Sequence, residues 1–130
     1  MNPASQHCPC GSALACIDCC GRYHAGVLHL QAPDAAALMR SRYSAFVLAR
    51  HDYLLATWHT STRPSVLATD PPDLTWLGLD LRRHVQQDAA HATVEFVARS
   101  KLGGRAQRLH EISRFVREGG RWFYLDGQMR

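Results

Sequence analysis

Lysine is nearly missing from this chain. Lys101 is the only one, so almost all the positive charge behind a formal net charge of +4 sits on arginine. That mild excess falls short of the dense basic surface of a dedicated nucleic-acid binder, which makes nucleic acid an unfavoured partner. No apolar run approaches the ~20 residues of a membrane-spanning helix. The first residues lack the basic start and apolar stretch of a signal peptide, so the expectation is a cytoplasmic chain with no membrane span. Internal repeats and low-complexity tracts are missing as well. So is a nucleotide-binding glycine loop: Gly103-Gly104 and Gly119-Gly120 fall where hairpins should turn. What is present is one domain's worth of chain, 130 residues, 46% hydrophobic and 20% charged.

Cysteine is the exception to this plainness. Cys8-Pro9-Cys10-Gly11-Ser12 comes first, and the adjacent pair Cys19-Cys20 follows with eight residues between Cys10 and Cys19. Four thiolates can close a tetrahedral Zn²⁺ site with no position left for substrate. Gly11 is free to take the positive φ of a tight turn between the first pair and the rest. The competing reading is disulfides, but cysteines that are adjacent or one apart rarely bridge each other. The expected zinc ligands are Cys8, Cys10, Cys19 and Cys20. Cys16 makes a fifth thiol where four fill the shell and reads as a spectator; His7 and His24 are spare.

The cysteine pattern resembles the SEC-C zinc motif, best known from the C-terminal tail of the SecA translocase. Cys8 to Ser12 and Cys19-Cys20 match it in identity and spacing. The segment Ala13 to Asp18 departs from it, having no lysine where the motif is usually basic. The metal site therefore carries over, whereas an anionic partner for those lysines does not.

Beyond the cysteines, Asp34 reads as an N-cap opening a helix to about Arg50. Leu38, Met39, Tyr43, Phe46 and Val47 form one apolar stripe along it. Asp52 reads as a second cap, for a short helix through Trp58. Asp70-Pro71-Pro72-Asp73 breaks the chain, and the hydrophobic period then changes from near 3.6 to 2. Four strands are expected: Trp76 to about Gln86 with Leu77, Leu79 and Leu81 on one face, His91 to Lys101, Gln107 to Glu118, and Arg121 to Gln128. Helices followed by an antiparallel meander make an α+β fold, and helices laid across a twisted sheet leave a cone-shaped hollow.

Leu38 to Phe46, Asp52 to His59, Trp76 to Leu79, Val94 to Arg99, His110-Glu111 with Ser113 to Phe115, and Trp122 to Gly127 together resemble the bacterial family named after YchJ. The resemblance covers nearly the whole chain from Cys8. It implies a SEC-C motif and bridge over residues 1–31 and a nuclear-transport-factor-2-like (NTF2-like) α+β domain over residues 32–130. It implies no activity, because that fold hosts enzymes and binding domains alike.

Arg42 lies on the apolar side of its helix, where a guanidinium needs partners. Glu111, on the Leu109, Ser113 and Phe115 face of its strand, is the expected one. The pair reads either as a salt bridge tying helix to sheet or as the lining of a pocket that would also include Tyr43, Trp58, His59 and Ser113. His110 faces the other way, and the arginines at 99, 105, 108, 114, 117 and 121 read as a solvated face. No catalytic residue is assigned. The reading is a cytoplasmic zinc-binding adaptor whose knuckle meets a protein partner. The alternative is an enzyme or ligand-binding protein that uses the hollow for a small molecule.

Overall fold

The computed structural model describes residues 7–130. Cysteine-rich chain comes first. A 3-10 turn over Cys16–Asp18 leads into a single helical turn, α1 (Gly21–His24). Gly11 has φ +88°, so the turn after Cys10 uses the left-handed conformation open to glycine. The loop closes on itself where Cys8 N donates to Leu14 O at 2.7 Å.

Helix α2 (Ala35–Val47) begins where Asp34 predicts it, the aspartate side chain accepting from Ala37 N at 2.7 Å. Helix α3 (His51–Ala56) starts two residues earlier than expected, with Arg50 at the N-cap and no side-chain cap bond. Asp52 instead lies inside the first turn, where its charge still favours the positive helix end. The helix stops before Trp58, which continues as an isolated parallel bridge to Tyr124. No helix among the described residues is long and apolar enough to cross a membrane.

Four antiparallel strands follow in the order β1 (Leu74–Gln86), β2 (His91–Leu102), β3 (Arg105–Glu118) and β4 (Arg121–Met129). Both glycine pairs turn hairpins with positive φ at each residue, as type I′ geometry requires. The expected face of β1 needs correction. A bulge between Trp76 and Gly78 shifts the alternation, so Leu77 is 51% exposed while Trp76 joins Leu79 and Leu81 against the core. In β2, Val94, Phe96 and Ala98 are buried on the inner face, as the period-2 pattern predicts.

The core lies between α2, α3 and the inner face of the sheet, centred on Leu38, Leu54, Val94 and Phe115. Tyr23 of α1 belongs to the same cluster. The cysteine segment is therefore packed onto the body, with one aromatic side chain inside it.

Candidate metal centre and ligand hollow

All five cysteines are free thiols, and all are buried. The ligand atoms of Cys8, Cys10, Cys19 and Cys20 lie within 4.8 Å of one another, and Cys10 Sγ is 3.6 Å from Cys19 Sγ. Sulfurs at ~2.3 Å from a tetrahedral centre stand about 3.8 Å apart, so the four thiols are close enough to surround one metal ion. Their electrostatics point the same way. Hydrogen bonds from Cys10 and then Cys20 hold the Cys8 thiol well below the usual range. The Cys20 thiol is pushed up, first by Cys10 and then by Cys8. One thiolate is thus stabilised at its neighbours' expense, and a bound dication would let the rest ionise.

Side chains around the thiols fix their positions. Ser12 Oγ donates to Cys19 Sγ at 3.1 Å, and Ser44 Oγ of α2 lies 3.3 Å from Cys8 Sγ. Arg40 Nη1 donates to Cys10 O at 3.2 Å. Cys16 is outside the set of four; burial, then the charge of Cys8, pushes its thiol up to about 11. His24 turns away, its Nε2 donating to Ser41 O at 2.8 Å.

Arg40 and Ser44 face the knuckle from one side of α2, while Met39, Arg42, Tyr43 and Phe46 face a cavity of about 260 Å³ on the other. Five of the six expected pocket residues line that cavity: Arg42, Tyr43, Trp58, Glu111 and Ser113. His59 does not. Trp58 pairs with Tyr124 across two backbone bonds of 2.8 Å, which aims residue 58 inward and residue 59 outward. His59 Nε2 accordingly donates to Glu118 Oε2 at 2.6 Å, and its ring packs edge-on to Phe123.

The expected Arg42–Glu111 pair is also corrected. Arg42 is 3% exposed, and its Nη1 donates to Leu54 O at 2.8 Å and Thr57 Oγ1 at 2.7 Å. Its guanidinium carbon stands 4.6 Å from the Tyr124 ring centre and 5.3 Å from that of Trp58, so two π-faces share its charge. Those partners replace the carboxylate. Glu111 accepts from Ser113 Oγ at 2.8 Å and packs over Gly127, where any Cβ would collide with it. Burial lowers the Arg42 pKa to about 10, which leaves the group charged near neutrality, with Tyr124 and Tyr53 the leading opposing influences and Glu111 a lesser one.

Tyr124, Trp76 and Phe46 complete the aromatic wall and were not singled out from sequence as pocket residues. Burial, followed by the charge of Glu111, pushes the Tyr124 hydroxyl up to about 12. On the outer face His110 Nε2 donates to Glu95 at 2.7 Å, and Arg114 holds Asp126 through two bonds. His110 therefore does face away from Glu111, and the arginine-rich face is diluted by acids.

Fold and site together define a class: a four-cysteine knuckle seated on an NTF2-like α+β domain. The family model for the middle NTF2-like domain of YchJ matches residues 34–127. A UPF0225 protein of Bordetella pertussis is 62% identical over 130 residues, covering 99% of this chain and 98% of its own length. A UPF0225 protein of Methylibium petroleiphilum is 60% identical, with 99% and 96% covered. The solution structure of a SEC-C motif containing protein from Rhodopseudomonas palustris aligns with a TM-score of 0.79 at 33% identity, covering 95% of this chain and 98% of that one. A crystal structure of a SEC-C motif containing protein from Psychrobacter arcticus gives 0.81 at 30% identity, with 100% and 86% covered. The chain belongs to the UPF0225 family and carries the YchJ type of NTF2-like domain.

Proposed function

We propose that this chain is a zinc-stabilised binding protein of the cytoplasm, in which the knuckle is structural and the hollow takes a small molecule. Zinc suits the site because four clustered thiolates can fill its tetrahedral shell and leave no open position for catalysis. Its chemistry there would be to lock the knuckle against α2; free cysteines in such a cluster suit a reducing compartment.

One observation carries the ligand reading. Arg42 is buried beside a cavity, and among the described residues only its Nη1 finds hydrogen-bond acceptors. A guanidinium has five N–H donors, so the remaining edge is available to an occupant. A helix-to-sheet strut would instead be fully paired and closed over.

The adaptor reading keeps one specific support. Leu14 and Ile17 on the knuckle are 52% and 61% exposed, an apolar edge beside the metal ligands. It makes the knuckle a second contact surface, for a protein partner.

A survey of amide chemical shifts against a set of small aromatic and polar fragments tests the proposal. Shifts should gather at Arg42, Trp58, Glu111 and Tyr124. Shifts confined to the outer sheet face, or none at all, would remove the hollow as a binding site.

A further inference from the structure

Resting on the reading of the hollow as a ligand site, we infer that its ligand is a small, neutral, planar heteroaromatic molecule with an acceptor and a donor side by side on one edge, the cyclic-amide edge of nucleobases and pterins. Size sets the first limit. About 260 Å³ holds roughly nine waters at ~30 Å³ each, at or just below the small end of ligand pockets. One ring system fits; a dinucleotide does not.

The walls set the second. Phe46, Trp76 and Tyr43 form a continuous aromatic surface, with ring centres 6.2 Å apart for Phe46–Trp76 and 5.7 Å for Tyr43–Trp76. Such a surface favours a flat partner that can offset-stack or meet it edge to face.

Charge sets the third. Arg42 offers only donors, and an ionised Glu111 offers only acceptors. Both line the same cavity, yet each is held by other groups and they do not close into an ion pair. A carboxylate ligand would satisfy Arg42 but bring negative charge beside Glu111 and the exposed rim residue Asp70. An organic cation would satisfy Glu111 but meet Arg42, which already occupies the Trp58 and Tyr124 faces. A carbonyl to Arg42 and a neighbouring N–H to Glu111 answers both charges without adding one.

The test is a calorimetric and amide-shift titration of the zinc-loaded full chain with four probes: hypoxanthine, purine, benzoate and choline. Purine keeps the ring system and lacks the amide edge. Hypoxanthine should bind with shifts at the hollow, at least ~10-fold more tightly than purine. Glu111→Gln, checked for an unchanged melting temperature, should lose at least ~10-fold for hypoxanthine, since a charge-assisted bond becomes a neutral one. Equal binding of purine and hypoxanthine would overturn the cyclic-amide assignment. So would benzoate or choline binding in the hollow without hypoxanthine, although the hollow would then remain a ligand site. No binding by any of the four would overturn the inference and count against the ligand reading beneath it.

Discussion

Ser44 Oγ lies 3.3 Å from Cys8 Sγ, so a helix of the α+β body reaches directly into the four-cysteine cluster. The same helix presents Arg42 to the hollow on its opposite side. Groups that hold metal ligands in place commonly contribute 10–100-fold in affinity. Ser44→Ala should therefore weaken metal retention by about tenfold or more in a chelator competition, while Cys16→Ser leaves it unchanged. Equal retention in wild type and Ser44→Ala would detach helix from metal.

Tyr23 ties the knuckle to the body from the other direction, because it is buried in the main core. Tyr23→Ala should cost about 3 kcal/mol or more in denaturant unfolding, the range for removing a large buried aromatic ring. Chelation should lower the melting temperature yet preserve the far-UV sheet signal, since all four strands lie outside the cysteine segment. A melting temperature indifferent to chelator would mean that the two parts are energetically separate.

Arg42→Met removes the donor from Leu54 O and Thr57 Oγ1. Leaving buried acceptors unpaired costs about 1–3 kcal/mol, and urea unfolding should show a loss in that range. Thr57→Val should recover part of the Arg42→Met loss in the double variant, because it removes one of the stranded groups. Strict additivity of the two changes would contradict the hydrogen bond.

His24 gives the pH dependence. Its Nε2 donates to Ser41 O, while its Nδ1 is buried with no partner among the described residues. Burial lowers its pKa below the ordinary 6.5. The unfolded chain therefore takes up the proton first, and stability falls as pH drops below about 6.5. His24→Gln keeps a donor for Ser41 without titrating, so it should flatten this part of the acid limb. Identical slopes in the two proteins between pH 7 and 5 would rule His24 out as its source.

Much of this could be read from residue order because it is local. Asp34 caps α2 through a bond three residues long, and each glycine pair turns a hairpin by its own φ values. The cysteine set is equally local, spanning Cys8 to Cys20. What escaped depends on a partner elsewhere in the chain. The bulge that turns Leu77 out and Trp76 in is a property of how β1 meets β2. The direction of His59 is decided by the bridge between Trp58 and Tyr124, residues far apart in sequence. Arg42 had an obvious carboxylate in Glu111 and found instead a carbonyl, a hydroxyl and two aromatic faces, none of which a helical wheel reveals.

The central claim is that one metal ion closes Cys8, Cys10, Cys19 and Cys20 into a knuckle locked against α2. Native mass spectrometry of the full chain, purified under reducing conditions without added metal, tests it most directly. The account predicts about one zinc per chain, released by Cys8→Ser or Cys19→Ser and kept by Cys16→Ser. A metal-free chain whose mass shows a disulfide between Cys8 and Cys19 would contradict it.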